Sequence, residues 1–355
     1  MELTPEIKAQ LQEQKKNCPY CLLLKGEIPS SSVYEDKYMN AVMHIDNWRE
    51  GHILLLPKEH YPILPLMPAD EFKHIFGSIP KLIKALKKSF LSFGCNVIIA
   101  NGGAAGQQLP HFCVNIVPRD TSDKFDYFSF NKPVNLDQEN LKSVNEMLHQ
   151  NVPIMMNNHF GRNPAKWHNG NIKRAEFIEK IENQKIIYED EKSIVLIPKN
   201  PQCIGHMVIY SQEEEKLIEK LSDESSSHLF YVASFCSTAA FEGLKAAGSN
   251  IILKSGKSKD NPHGRLEIHI LPRFEKDKIN LNFNSNQDPE KMELLAKKIK
   301  ENIWLMQTGK PKKRVVIDLD KEIPEEIIKN PDSKKLELKK PINEIEDAIS
   351  KIQKS

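Results

Sequence analysis

The sequence predicts an α+β protein made of two tandem repeats, each an antiparallel sheet of about five strands with a long helix packed on one side. Three observations predict this class. Short apolar segments bounded by turn residues indicate strands. Apolar residues at helical spacing over residues 68–93 indicate a long helix. Short motifs of the first half recur in the second half at a constant distance, which indicates a duplicated unit.

Four motifs of the first half recur 154 positions later in the chain. They are Tyr34-Glu35-Asp36 with Tyr188-Glu189-Asp190, Gly51-His52 with Gly205-His206, Gly94-x-Asn96 with Gly248-x-Asn250, and Pro118-Arg119 with Pro272-Arg273. Unrelated segments are not expected to share one offset without a net gap. We therefore interpret the chain as a tandem duplication.

We expect four segments along the chain: a first domain over residues 1–150, a linker over 151–173, a second domain over 174–309 and a charged tail over 310–355. The linker contains two glycines and two prolines. The tail is rich in Lys, Glu, Asp and Pro and has only isolated apolar residues. Because this composition buries little surface, the tail is predicted to be disordered.

Composition excludes several function classes. The 355 residues suffice for two domains with proper cores. With 50 Lys and Arg against 48 Asp and Glu, the net charge is +2, which argues against a nucleic-acid-binding protein. No long apolar run and no signal-peptide pattern are present, so we expect no membrane association and a cytoplasmic location. The six cysteines suit a reducing compartment better than a disulfide framework.

Turn residues and periodicity place the elements of the first repeat in order. Thr4-Pro5-Glu6 is a typical helix start, and this helix should reach about Lys16. Strands are predicted over residues 32–35, 40–45, 52–57 and 96–100. Pro80 lies inside the long helix and predicts a kink or break there, and Gly94 is expected to end that helix. Further amphipathic helices are predicted over residues 136–149 and 289–304.

The segment from Asn101 to Arg119 holds the candidate chemistry of the first repeat. A small-residue loop over 101–106 precedes a strand in which His111, Cys113 and Asn115 alternate. Side chains alternate across a strand, so these three share one face, and the apolar residues between them take the other. Loop glycines let backbone N–H groups approach an anion, so the stretch predicts a phosphate pocket.

This stretch resembles the histidine-triad (HIT) family, whose hallmark is three alternating histidines followed by a short apolar run and often Pro-Arg. Three upstream segments also match the family in order and spacing: Val33 to Asp36, His44 to Asp46, and Gly51 to His60. The resemblance therefore covers residues 18–119. It implies a HIT-like fold for each repeat. Single-domain members usually pair across a two-fold axis, so a tandem chain is expected to form an internal pseudo-dimer, as a monomer or a homodimer.

The triad itself is altered in both repeats. His111 keeps the first position, whereas Cys113 replaces the central histidine and Asn115 the third. In the family the central histidine attacks the α-phosphate and carries the nucleotidyl group. The offset of 154 places Arg265, Glu267 and His269 at the equivalent positions of the second repeat.

The resemblance also implies a structural zinc in the first repeat. HIT domains that carry a C-x-x-C complete it with the histidine after Pro-Lys and with the first triad histidine. The residues at these positions are Cys18, Cys21, His60 and His111. Two thiolates and two imidazoles describe a closed tetrahedral site without a position for catalytic water. The second repeat has Ile172 and Ala175 in place of the cysteines and should be free of metal.

Four residues are candidates for contacts with a nucleotide. Asp46 matches the family's acid that contacts the ribose, and Asn101 and Gln107 match positions near the phosphates. Asn115 is expected to hold either a phosphate oxygen or a neighbouring carbonyl. His52 and His206 match a histidine that supports the triad from behind. The resemblance thus implies a nucleoside phosphate or a nucleotide sugar as ligand.

Cys113 admits two interpretations. A thiolate at the nucleophile's position, activated by loop N–H groups, would make the protein a nucleotidyl transferase or hydrolase. Cysteine is also among the most buried residue types, so Cys113 equally fits a decayed site in an inactive nucleotide-binding sensor or scaffold.

A third alternative concerns the second repeat. Asn261-Pro262-His263-Gly264-Arg265 is similar to the His-Pro-His-Gly-Gln signature of galactose-1-phosphate uridylyltransferases, which would make His263 the nucleophile. The first histidine and the final glutamine of that signature are missing here. This register also needs a gap that the constant offset does not.

Overall fold

Ten strands form one antiparallel sheet that extends across both repeats. The computed structural model describes residues 12–123, 125, 127–128, 136–165, 172, 174, 176–179, 185–213, 215–275, 277 and 289–306. The predicted start of the first helix and the predicted tail lie outside these residues. The strand order is β1-β2-β3-β5-β4-β9-β10-β8-β7-β6. Strands β1 to β5 belong to the first repeat and β6 to β10 to the second.

The strands are β1 (Ser32–Glu35), β2 (Met39–Met43), β3 (Ile53–Pro57), β4 (Gly94–Asn101), β5 (Val114–Arg119), β6 (Lys185–Glu189), β7 (Ser193–Ile197), β8 (Met207–Ser211), β9 (Gly248–Gly256) and β10 (Glu267–Arg273). The α-helices are α1 (Pro19–Leu24), α2 (Ala69–Phe90), α3 (Gln138–Arg162), α4 (Glu176–Glu179), α5 (Asp223–Leu244) and α6 (Pro289–Lys300). The predicted α+β class and the tandem repeat are confirmed. No helix in the described part of the chain is long and apolar enough to span a membrane.

Strands β4 and β9 join the two repeats at the centre of the sheet. They pair antiparallel from Gly94 opposite Gly256 to Asn101 opposite Ser249. In the middle of this pairing Ile98 lies opposite Ile252, its own equivalent 154 positions later. A pseudo-two-fold axis therefore passes through this pair, and the predicted internal pseudo-dimer is confirmed.

The long helices α2 and α5 pack on one face of the sheet and against each other. Their contact contains aromatic pairs, with ring centroids 4.6 Å apart for Phe76 and Phe230 and 4.0 Å apart for Phe72 and Tyr231. The buried core fills the space between these helices and the sheet. The candidate site residues therefore lie on the opposite face.

Helix α2 runs through Pro80 without the break that the proline predicts. Proline has no N–H, so the carbonyl of Phe76, four residues earlier, loses its helical donor. The hydroxyl of Ser226 on α5 donates a hydrogen bond to this carbonyl at 2.7 Å. Helix α5 thus supplies the hydrogen-bond donor that the Phe76 carbonyl lacks because of the proline.

The ends of the helices differ from the sequence-based expectation. Helix α2 ends before Leu91, which has a left-handed conformation with φ of 53°, and not at Gly94. Helix α5 ends in the same way before Lys245, with φ of 55°. Helix α3 continues to Arg162, so part of the expected linker is helical. Its first turn is capped by Asp137, which accepts from two backbone N–H groups.

An Asp–His pair ties the first hairpin of each repeat to its long helix. In the second repeat Asp190 lies 2.7 Å from His228, and the side chains are 2% and 4% exposed. In the first repeat Asp36 lies 2.6 Å from His74, with exposures of 18% and 37%. The two histidines are again 154 positions apart.

We expect His228→Ala to lower the free energy of unfolding by about 3–5 kcal/mol, because it removes a partner from a buried carboxylate. His74→Ala should cost less than about 1 kcal/mol, since its pair is partly exposed. Urea unfolding at neutral pH tests this difference, and equal losses in the two variants would contradict it.

The loss in His228→Ala should depend on pH. Burial raises the pKa of Asp190, but the hydrogen bond from His228 and further donors outweigh it, so this pKa lies below its ordinary value. A lowered carboxyl pKa gives stability that is present above the unfolded-state pKa of about 3.9 and is lost as the pH falls further. The difference between wild type and variant should therefore shrink in unfolding curves measured below about pH 4.

Candidate functional site

The metal-ligand candidates of the first repeat meet beneath helix α1. Cys18 is the N-cap residue of this helix, Pro19 follows at its first position, and Cys21 lies one turn further. His60 follows strand β3, and His111 precedes strand β5. A hydrogen bond from the N–H of Phe112 to the Tyr61 carbonyl, 2.6 Å long, holds the two histidine-bearing segments together.

The four side chains form a compact and buried cluster. One ligand atom of each lies within 4.8 Å of the others: Cys18 Sγ, Cys21 Sγ and one ring nitrogen each of His60 and His111. Nδ1 of His111 lies 3.5 Å from Cys18 Sγ and 3.4 Å from Cys21 Sγ. Nε2 of His111 donates to the Pro57 carbonyl at 3.1 Å, which fixes the tautomer and leaves Nδ1 for the cluster.

The donor set suits a metal ion that prefers two sulfur and two nitrogen ligands in a tetrahedron. Hydrogen bonding with Cys21 and His111 lowers the pKa of Cys18 to about 4 despite its burial, so this thiol is ionised at neutral pH. A thiolate is the form that binds a metal. The cluster is therefore a candidate metal site.

The second repeat replaces this cluster with an aromatic contact. Ile172 is exposed, and Ala175 lies outside the described residues. Arg265, at the position of His111, lies over the ring of Phe177 at 4.3 Å from the centroid. Among the described residues, a cluster of Cys, His, Asp or Glu side chains that could hold a metal ion lies only in the first repeat.

Cys113 is half-buried on the outer face of the sheet. It packs with apolar residues of β2 and β3 and with residues of helix α1, among them Tyr20. Burial raises the pKa of the Cys113 thiol to about 12, although Tyr20 acts in the opposite direction. The thiol is therefore neutral at physiological pH.

Asn115 belongs to a chain of hydrogen bonds that begins behind the strand, and its Nδ2 donates to the Ile98 carbonyl at 3.4 Å. The N–H of Trp48 donates to Nδ1 of His52 at 3.2 Å, so the ring proton of His52 sits on Nε2. Nε2 donates to Oδ1 of Asn115 at 3.0 Å. Burial lowers the pKa of His52 well below its usual value, so the ring is neutral. His52 thus orients the amide of Asn115.

His44 and Asp46 lie beside this chain of hydrogen bonds. The rings of His44 and His52 stack with centroids 4.4 Å apart. Burial lowers the pKa of His44 to about 4, although Asp46 acts to raise it. Sequence reasoning passed over His44 and Tyr20, although both lie within motifs that it used.

Asn101 and Gln107 hold the loop between β4 and β5 in place. Oδ1 of Asn101 accepts from the Leu64 N–H at 3.0 Å, and Ser255 accepts from Ile218 in the same way in the second repeat. Oε1 of Gln107 accepts from the Gly102 N–H at 2.7 Å, and its Nε2 donates to the carbonyls of Pro62 and Leu109. Their contacts in this structure shape the loop.

The equivalent face of the second repeat carries charged side chains. Nε2 of His206 lies 3.1 Å from Nδ1 of His269, and Nε2 of His269 lies 3.0 Å from a carboxylate oxygen of Glu267. Lys254 lies across the adjacent strand from Glu267. His263 is exposed in the turn before β10.

Comparison with known proteins identifies the repeated unit. The HIT domain matches residues 25–122 and again residues 179–276. An uncharacterised HIT-like protein of Methanocaldococcus jannaschii is 38% identical over 107 residues, covering 30% of this chain and 81% of that protein. The similarity to galactose-1-phosphate uridylyltransferases is not shown by these comparisons.

Two similar proteins have named activities. An adenylylsulfatase of Arabidopsis thaliana is 30% identical over 116 residues, covering 33% of this chain and 59% of that protein. An adenosine 5′-monophosphoramidase of Saccharomyces cerevisiae is 35% identical over 102 residues, covering 29% of this chain and 62% of that protein.

We expect Asn115→Ala to destabilise the protein by about 1–3 kcal/mol, because the buried N–H of His52 loses its acceptor. Asn140→Ala, an exposed change in the first turn of α3, is the control and should stay within about 0.5 kcal/mol of wild type. Chemical denaturation measures both values. An Asn115→Ala protein as stable as the control would show that His52 does not depend on this bond.

Proposed function

The chain belongs to the HIT family, because the HIT domain matches both of its repeats, and we propose that its first repeat binds a nucleoside phosphate without efficient turnover. An adenosine nucleotide is the ligand we favour. The observation that carries the proposal is the neutral Cys113 thiol at the position of the family's nucleophile. A phosphate nucleophile has to be ionised or to have a base within reach.

The neighbours of Cys113 that the structure describes supply no such base. Asn115 carries an amide, which does not accept a proton near neutral pH. His111 uses Nδ1 toward the two cysteines and Nε2 toward Pro57. The nearby Tyr20 is a phenol whose pKa is raised by burial, so it remains protonated. These contacts support a site that binds phosphate and lacks the proton acceptor for attack.

Ligand binding is supported by the relatives. The adenylylsulfatase and the monophosphoramidase named above both act on adenylyl compounds, which favours an adenosine ligand. Asp46 then contacts the ribose, and Asn115 contacts the phosphate. A nucleotide sugar or a transferase reaction is the less favoured possibility.

We also propose that zinc occupies the cluster of Cys18, Cys21, His60 and His111. The ionised thiol, the fixed His111 tautomer and the buried donor atoms support this choice. The ion would tie helix α1 to strand β5 and thereby form one wall around Cys113. It would be structural, since four protein ligands leave no open position.

Location, assembly and domain boundaries remain proposals. All six cysteines are free, which supports a reducing compartment such as the cytoplasm. The shared sheet supports a monomer that contains its own pseudo-dimer. We retain domain boundaries near residues 150, 173 and 309, and His263 remains a candidate only for the uridylyltransferase alternative.

Purified protein should contain about one zinc per chain when it is prepared without chelator. Cys18→Ser should lose the metal and lower the melting temperature far more than Cys236→Ser does. Cys236 is the matched control, because it is fully buried on α5 outside the cluster. Elemental analysis measures the metal content, and thermal unfolding measures the melting temperature. Wild-type protein with no bound metal would refute the zinc proposal.

The first repeat should bind AMP, measured by isothermal titration calorimetry. Asp46→Ala should weaken this binding by about 1–3 kcal/mol, because a charged hydrogen bond to the ribose is lost. Asp70→Ala, an exposed aspartate at the start of α2, is the matched control and should leave the affinity unchanged. Equal affinities of wild type and both variants would show that Asp46 does not contact the ligand.

Turnover of adenosine phosphoramidates should be near background in the native protein. Cys113→His combined with Asn115→His should raise it, because the change restores a nucleophile and a second imidazole. The fold tolerates a histidine at the third position, as His269 shows beside His206 in the second repeat. A nucleotide trapped on Cys113 of the native protein, with activity lost in Cys113→Ala, would instead establish the thiol as the nucleophile.

A further inference from the structure

We propose that the second repeat contains an anion site that is filled by the chain's own Glu267. The native repeat then binds no nucleotide, and it accepts a free oxyanion when this carboxylate is removed. The inference rests on the proposed phosphate-binding role of the first repeat, because Glu267 occupies the position equivalent to Cys113. It predicts one nucleotide per chain.

The donors around Glu267 are those that bind a phosphate oxygen. Oε1 of Glu267 lies 3.0 Å from Nε2 of His269 and 3.8 Å from the ammonium nitrogen of Lys254. Glu267 and Lys254 are direct partners across strands β10 and β9. An imidazole N–H and an ammonium group that converge on one oxygen form a charge-assisted anion site.

The direction of the His269 donor is set by a chain of hydrogen bonds. The N–H of Gln202 donates to Nδ1 of His206 at 3.1 Å, so His206 carries its proton on Nε2. That nitrogen donates to Nδ1 of His269 at 3.1 Å. The proton of His269 is therefore on Nε2, which faces Glu267. The donor is preorganised and remains in place when the carboxylate is absent.

Glu267 provides a negative charge beside the buried cation of this site. The Lys254 side chain is 3% exposed, and a buried ammonium without a countercharge is costly. Lys254 also donates to the carbonyl of Asp260 at 3.1 Å, which is a neutral acceptor. Glu267 is 19% exposed, so an external anion has access to its position.

The first repeat has a different set of residues at these places. Ala100 stands at the position of Lys254, Cys113 at that of Glu267 and Asn115 at that of His269. No fixed charge is present among these three, so no internal ion pair occupies the pocket. The self-filled arrangement belongs to the second repeat alone, and the two sites of the pseudo-dimer differ in charge.

The experiment removes the carboxylate of Glu267 and supplies an oxyanion in solution. Glu267→Ala should melt several degrees below wild type in buffer without oxyanions. Inorganic phosphate or formate at tens of millimolar, at constant ionic strength with chloride, should restore at least half of that loss, because an anion that binds only the folded state stabilises it. If Glu267→Ala is unfolded without phosphate, its refolding upon addition of phosphate is the same readout.

Two further variants make the result specific. Glu219→Ala is the matched control, since Glu219 is another largely buried carboxylate paired with a lysine, Lys87, without an imidazole beside it. It should lose stability that phosphate does not restore. Glu267→Ala combined with Lys254→Met removes both charges and should gain nothing from phosphate.

A Glu267→Ala protein that phosphate and formate stabilise no more than Glu219→Ala would overturn the inference. Titration of wild type with AMP showing two equivalent sites would also overturn it. AMP binding to the first repeat of wild type is measured separately. If phosphate and formate do not stabilise Glu267→Ala but wild type binds one AMP per chain, the inference fails and the proposed function stands.

Discussion

The pairing of β4 with β9 is the interaction on which the rest of the structure depends. Without it each repeat would expose a long central strand edge, which is a template for aggregation. With it, Ile98 meets its own equivalent Ile252, and the two five-stranded halves become one sheet. The same pairing brings α2 against α5, so that Ser226 of one helix satisfies the carbonyl that Pro80 leaves open in the other. The duplication supplies within one chain what separate domains obtain by association.

The two repeats resemble each other more closely in their backbone than in their polar side chains. Helices α2 and α5 have equivalent bounds, and both end at a left-handed residue. On the outer face, a candidate metal cluster in the first repeat has its counterpart in the contact of Arg265 with Phe177. The outer faces of the two repeats therefore have the same backbone structure but different side-chain contacts.

The sequence could predict what depends on local pattern and on the repeat. Alternation and the offset of 154 locate the strands and the long helices, and the resemblance to HIT domains implies the pseudo-dimer and the cluster of cysteines and histidines. It could not predict what depends on distant partners. The continuity of α2 at Pro80 requires a hydroxyl from the other repeat, and the contact of Glu267 with Lys254 requires the register of β9 with β10. The loop roles of Asn101 and Gln107 depend likewise on tertiary hydrogen bonds.

Both repeats use the imidazoles at their triad positions for structure, which is the physical basis for proposing that the first repeat binds a nucleotide without efficient turnover. A neutral imidazole has one nitrogen that accepts and one that donates. His111 directs its accepting nitrogen to two cysteines and donates to a backbone carbonyl. His269 accepts from His206 and donates to Glu267. In either case the accepting nitrogen is engaged before a substrate arrives, so no triad imidazole is available as a base. The contacts that stabilise the two outer faces are therefore the same contacts that remove the general base from each.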